Sequence, residues 1–335
     1  MGKIVCFGEL LLRLTAPGRE LLLQNGRLEV HVGGAEANVA VALAHLGHDS
    51  SMVSRVPDNA LGAAAAGHLR RYGVSAAGVT TGPGRMGLYF LSPGAGLRPS
   101  DIVYDREGSS FALSGPGDFD WDAALAGADL LHLSGITPAL GRVSADAAIA
   151  AARAARAKGV SVSFDGNYRA QLWNKWEGNP AGTLAKIVAE ADILFGNHRD
   201  ISLLLGRDFS GEGEERRREA ALAMFAEYPQ LKLIASTARH ITDADTHRIA
   251  ARIDGRDGSA QTEEVVVAGI VDRIGAGDAF AAGVLHAMHS GLDLQATVGT
   301  GLALTCLKHS LAGDASLFGQ RDIDAFMAGE LDVRR

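Results

Sequence analysis

Two cysteines in 335 residues, Cys6 and Cys306, stand 300 positions apart in neither a CxxC pair nor a Cys/His spacing. That leaves no framework for structural disulfides or a zinc site, and it suits a reducing compartment. A basic excess is also missing: 32 lysines and arginines face 39 acids, a net charge of −7, so nucleic acid is not an expected partner. No apolar run approaches the ~20 residues of a membrane span. The opening MGKIVCFGELLLRL is interrupted by Glu9 and Arg13 and has no small-residue cleavage site, so a cytoplasmic protein without a membrane partner is expected. Internal repeats and low-complexity linkers are lacking, and the charge-dense GEGEERRRE of residues 211–219 reads as a solvated loop and helix start. GxxxxGK[ST] is absent, which excludes a P-loop.

What is present is 47% hydrophobic residue content, enough for one large α/β domain or two ordinary ones. Short apolar runs, KIVCFGE, SSMVSRV, ADLLHLSG, VSVSFDGN, ADILFGN and LKLIAST, end in small or polar residues and read as buried parallel strands. AEANVAVALAHLG, LGAAAAGHLRRYG, SADAAIAAARAARAKG and AALAMFAEY lie between them with helical spacing, the third offering Ser144 as N-cap and Gly159 as C′. The expected fold is α/β: a doubly wound, mainly parallel sheet flanked by helices, with ligands outside the carboxyl ends of the strands.

Two regions break that rhythm. RLEVHVGG alternates, and RMGLYFLSPG and DIVYDREGSSFALSG are aromatic and β-branched with no helix between them. They predict antiparallel strands of a small separate sheet, either a cover over a cleft or an edge extension. GPGRMG, residues 82–87, matches GxGxxG, but no clear strand leads into it and a strand-like segment follows, so no dinucleotide site is expected. His132 and the three tryptophans, Trp121, Trp173 and Trp176, read as packing residues.

VDRIGAGDAFAAG, residues 271–283, places Gly275, Ala276, Gly277 and Asp278 where an alanine-rich helix begins. Two glycines permit a tight turn and close approach of a ligand, and the helix start favours an anion. Asp278 can be a first-turn acid complementing the dipole or a base beside an anion cradle; phosphoryl transfer to an alcohol needs that second pairing. In HVGGAEANVAVALAHLG, Gly33 and Gly34 precede a helix whose first turns carry Glu36 and Asn38, an arrangement that capping and close packing would explain alone.

VGGAEANVAVALAHLG and DRIGAGDAFAAG together resemble the two signature regions of the ribokinase-like (PfkB) carbohydrate kinases, in the family's order and separation. FDGNYRAQLW, YDREGSSFA and CLKHSLAGDAS are similar to elements of the family's 2-keto-3-deoxygluconate kinases. The resemblance covers essentially the whole chain. It implies one domain over 1–335, a lid from segments about 10–32 and 86–112, and ATP- and magnesium-dependent phosphorylation of a sugar hydroxyl. A monovalent cation and a homo-oligomer formed through the lid also belong to the family's range.

By the same resemblance Asp278 is the base, and Gly275, Ala276 and Gly277 donate N–H groups to the transferring phosphoryl. Gly33, Gly34, Asn38 and Asn167 contact the sugar, while Tyr89, Tyr104, Arg106 and Arg169 hold its keto-acid end, where arginine offers bidentate recognition. Asn197, Ser236, Thr237 and Lys308 face the nucleotide. Asp200, where relatives carry a glutamate, is one methylene short and would reach the metal through water. The loop STARHITDAD replaces the usual T-x-G-x-x-G, leaving nucleotide contacts there open, and Arg273, where many relatives have threonine, either reaches a phosphate or caps the turn. The alternatives are a fructose or ribose kinase and a non-catalytic sugar sensor on the same fold.

Overall fold

Alternation of apolar strands and helices closes into one large sheet with a smaller sheet beside it. The computed structural model describes residues 2–176, 178–330 and 332. Its strands are β1 (Lys3–Phe7), β2 (Leu11–Thr15), β3 (Glu29–Gly33), β4 (Asp49–Pro57), β5 (Ser75–Gly82), β6 (Gly87–Ser92) and β7 (Asp101–Asp105). They continue with β8 (Leu130–Ser134), β9 (Ser161–Asp165), β10 (Ile193–Phe195), β11 (Leu233–Asp243), β12 (Thr246–Gly255), β13 (Ser259–Gln261) and β14 (Val265–Ala268). The main sheet runs β13-β12-β11-β10-β9-β8-β1-β4-β5, with β14 also on β12. From β11 to β5 every pairing is parallel, as the doubly wound expectation requires.

Strand periodicity divides the core in two. On β1, Ile4 and Cys6 point into the cluster that holds helices Ala35–His45, Ala276–His289 and Leu294–Lys308. Val5 and Phe7 point into the other, with helices Arg142–Ala157, Pro180–Val188 and Gly213–Glu227. A one-residue slip of β1 would exchange those sets, so burial on both faces fixes its register. Cys6 and Cys306 are buried and unbonded. His132 lies wholly buried on β8, bonded through Nδ1 to Ser163 Oγ at 3.0 Å, and burial pushes its pKa down to about 3. The tryptophans pack as expected, Trp173 stacked on Trp176 and Trp121 edge-on to Phe7.

Three expectations need correction. Ser144 is not the N-cap: the ladder already starts at Gly141, whose carbonyl accepts from Ala145 N, and Ser144, inside the helix, donates to Ala112 O. A strand does lead into GPGRMG, since β5 ends at Gly82 and β6 begins at Gly87, so the segment links the two sheets. STARHITDAD is no loop: it continues β11 into an antiparallel hairpin with β12.

The small sheet, order β3-β2-β6-β7, is antiparallel only at its outer pairs. Its central pair, β2 with β6, is parallel, because β2 comes from the opening apolar stretch and crosses in from the main sheet. Register places His31, Arg13, Tyr89 and Tyr104 in one row across this sheet, and Val30, Leu14, Phe90 and Val103 in the row on its other face. Val30 and Val103 are half or more exposed, whereas Arg13 and Tyr89 are buried.

Candidate active site

The parallel strands finish in step. Ser134, Asp165, Phe195 and Ala235 lie in one register row across β8 to β11, and just beyond that row come Asn167, Arg169, Asn197, Asp200, Ser236 and Thr237. The turn before helix Ala276–His289 and the turn before helix Ala35–His45 meet at the same end: Asn38 Nδ2 donates to Asp278 Oδ2 at 2.7 Å across 240 residues of sequence.

Gly275 caps its helix in the left-handed region, φ 77°. A Cβ there would stand 1.6 Å from Asp314 O, so both conformation and packing require glycine. Among the described residues the N–H groups of Gly275, Gly277 and Asp278 donate to no backbone or side-chain acceptor, while that of Ala276 turns back to Arg273 O at 3.3 Å. The free donors of the cradle are therefore residues 275, 277 and 278. Gly277 is exposed, and a Cβ on it would meet only open space. Asp278 is partly exposed to that space; burial, followed by the nearby charges of Asp165, Glu36 and Asp314, pushes its pKa up to about 8 against the pull of Asn38.

Close packing holds the second turn. Gly34, φ 140°, leaves room for Glu9 O, and Gly33 faces the Asp314 carboxylate, which a Cβ at residue 33 would strike at 2.2 Å. Glu36 is fully buried and takes hydrogen bonds from Ser134 N at 2.9 Å and Ser134 Oγ at 2.6 Å, tying this helix to the end of β8. Burial raises its pKa to about 7, with the Ser134 bonds opposing.

Around the expected acid-binding end, Tyr89 donates its hydroxyl to Asp314 Oδ2 at 2.7 Å, with Tyr104 opposite it in the sheet register. Arg106 is buried and its Nε bonds Glu9 Oε2 at 2.5 Å, so part of its charge is met within the protein. Asn167 sits at φ 36°, a conformation asparagine tolerates better than most residues, and its buried Oδ1 has no partner among the described residues. Arg169 is exposed and close enough to pull the Asp165 pKa down; burial wins, and that carboxyl rises to about 6.

On the nucleotide side, Ser236 and Thr237 extend β11 beyond the end of β10. Asn197 and Asp200 form a capping box, Asn197 Oδ1 accepting from Arg199 N and Asp200 Oδ2 from Asn197 N at 2.8 Å. The short side chain of Asp200 thus serves its own helix with one oxygen. No cluster of three or more metal-ligating side chains occurs among the described residues. Magnesium typically takes one or two carboxylates together with phosphate and water oxygens, and Asp165 with Asp200, whose charge raises the Asp165 pKa, fit that need. Lys308 is placed otherwise than expected: it is fully buried and bonds Leu311 O at 2.9 Å and Asp272 O at 3.3 Å, with no surface for a nucleotide.

Sequence reasoning missed the network behind the cradle. Arg13, 1% exposed, pairs with Asp272 at 2.6 Å and Asp314 at 3.1 Å. The one visible signal was a charge at residue 13 inside an apolar run. Arg239 was also missed: it is held below its usual pKa first by desolvation and then by Arg273 and Arg169, and Arg273 first by desolvation and then by Arg169. None of these three arginines forms an ion pair among the described residues.

Free helix-start amides beside a carboxylate, at the carboxyl ends of a parallel sheet, define a phosphoryl-transfer class of site. The chain matches the model of the pfkB family carbohydrate kinases over residues 1–316, and it belongs to that family. It is similar to the 2-dehydro-3-deoxygalactonokinase of Haloferax volcanii, 28% identical over 98% of this chain and 97% of the relative. The 2-dehydro-3-deoxygluconokinase of Thermoproteus tenax is 29% identical, over 94% and 90%. Among solved structures, the 2-dehydro-3-deoxygluconokinase of Thermotoga maritima superposes with a TM-score of 0.93 at 37% identity, covering 98% of this chain and all of the other. The chain is a carbohydrate phosphotransferase with the ribokinase-like α/β fold.

Proposed function

We propose that the chain transfers the γ-phosphoryl group of ATP to the primary hydroxyl of 2-keto-3-deoxygluconate, giving the 6-phosphate. The observation that carries this reading is the 2.7 Å bond from Asn38 to Asp278 beside three unpaired N–H groups. Asn38 holds one carboxylate oxygen, which leaves Oδ1 to take the proton of the attacking hydroxyl. As the new O–P bond forms, the bond from phosphorus to the β–γ bridging oxygen breaks and ADP leaves with the electron pair. The free amides of 275, 277 and 278 face the charge on the phosphoryl oxygens. Magnesium, when held by Asp165 and Asp200, supplies neutralisation of the phosphates.

Arg169, Arg239 and Arg273, which form no ion pair among the described residues, favour anions at this end, and relatives named for 2-keto-3-deoxy acids favour an acidic sugar. The small sheet acts as a lid, its Tyr89 and Tyr104 row turned to the substrate. Its opposite row, with Val30 and Val103 exposed, pairs with a second copy. No helix among the described residues is long and apolar enough to cross a membrane, in keeping with a cytoplasmic kinase.

The test is an ATP-coupled assay with 2-keto-3-deoxygluconate, its galactonate epimer, fructose and ribose. Turnover of the gluconate acid, with Arg169→Lys losing rate on acids and not on neutral sugars, is expected. Comparable turnover of fructose or ribose would refute the substrate. The Haloferax relative makes the epimer the second reading, favoured if it is the better substrate.

A further inference from the structure

The loops behind the cradle gather oxygen atoms that a free cation would favour: the carbonyls of Asp272 and Leu311 and the carboxylates of Asp272 and Asp314. Potassium is a hard cation that takes such oxygens. Here they are already held from within the chain. Lys308 Nζ donates to Leu311 O at 2.9 Å and Asp272 O at 3.3 Å, and Arg13 bridges Asp272 Oδ2 at 2.6 Å and Asp314 Oδ1 at 3.1 Å. Both cations are essentially inaccessible to solvent. Two fixed positive charges match two carboxylates, so a further ion would bury an unbalanced charge, which costs several kcal/mol. A bound monovalent cation therefore does not fit.

We propose that Lys308 is the resident monovalent cation of this site, a positioning residue that ties loop 272–275 to loop 311–314 and so aims the cradle amides without added potassium. The tie acts where packing is tightest, since Asp314 O lies against Gly275 and Asp272 Oδ1 takes the N–H of Ile274 at 2.9 Å. The proposal rests on the reading that these amides meet the transferring phosphoryl.

The test compares kcat, KM and melting temperature of the full chain with tetramethylammonium or potassium as the only monovalent cation. Wild type is expected to differ less than ~2-fold in rate and to melt alike, because no site remains to be filled. Lys308→Ala opens that site: its kcat should fall by ~10²-fold in tetramethylammonium, with KM little changed, and recover at least ~10-fold in potassium or ammonium, with a rise in melting temperature. A wild-type rate that climbs tenfold or more with potassium overturns the idea whatever the variant does. So does a folded Lys308→Ala that is indifferent to the cation in rate and melting. If no sugar is turned over, the proposed substrate fails, while the melting comparison still decides the role of Lys308.

Discussion

A base whose pKa is pushed up to about 8 should leave its mark on the pH dependence of turnover. Below that value most Asp278 carries a proton and cannot accept the one from the sugar hydroxyl. Ionisation is about 1% at pH 6 and half at pH 8, so kcat/KM for the sugar acid at fixed ATP should rise ~50-fold between them. An aspartate at its ordinary value is fully ionised across that window and predicts a flat profile. Asn38 provides a second arm, because its donated hydrogen bond favours the ionised form. Asn38→Ala should move the inflection upward. The measurement is initial rate against sugar concentration at closely spaced pH values, with folding of each variant checked by circular dichroism. A flat wild-type profile, or an inflection that moves down in Asn38→Ala, would refute the assignment of Asp278 as a base held by Asn38.

The glycines of the cradle should fail in different ways. Gly277→Ala places its methyl in open space, so melting should be unchanged while kcat falls ~10²-fold if the cleft is where phosphoryl transfer occurs. Gly275→Ala meets a carbonyl at 1.6 Å in a left-handed residue and should lower the melting temperature markedly, or give no soluble protein. Asp278→Asn is expected to melt above wild type by a margin that grows from pH 5 to pH 8. The wild-type carboxyl keeps its proton in the fold up to about pH 8 and gives it up in the unfolded chain near its ordinary value, so the wild type loses stability across that window. Glu9→Gln leaves buried Arg106 without its counter-charge and should cost ~3–5 kcal/mol in urea denaturation.

Local signals carried the strands, most helices and the GAGD turn, because period, glycine and helix-start chemistry are written within a dozen residues. Asn38 and Asp278 were legible separately; that they touch is a property of the sheet, whose parallel order brings two helix starts to one end. Hairpin β11–β12 was misread because a motif position was expected to be a loop, while the residues of STARHITDAD simply continue the pairing with β12. Lys308 was misassigned for a related reason. A lysine near a nucleotide motif invites a phosphate role, and only tertiary burial reveals that its protons go to two carbonyls. Pairs such as Arg13 with Asp272, 259 positions apart, have no local period to betray them.

Burial and neighbouring charge act in opposite senses on the acids and the arginines at this end of the sheet. Asp278 is pushed up by burial and then by Asp165, Glu36 and Asp314, whereas Arg239 is held down by burial and then by Arg273 and Arg169, and Arg273 by burial and then by Arg169. Each group is electrostatically unfavourable alone. Arg169 offsets part of the acid charge by lowering the Asp165 pKa, yet no ion pair joins the two sets among the described residues. An anion beside Arg239 and Arg273 that reaches the amides of 275 to 278 would reduce the repulsion on those two cations. Its negative charge also raises the Asp278 pKa, which makes that carboxylate a stronger base and lowers the fraction of it that is ionised. Anion binding there thus relieves repulsion among the arginines and adds to it at Asp278, where the Asn38 hydrogen bond opposes it.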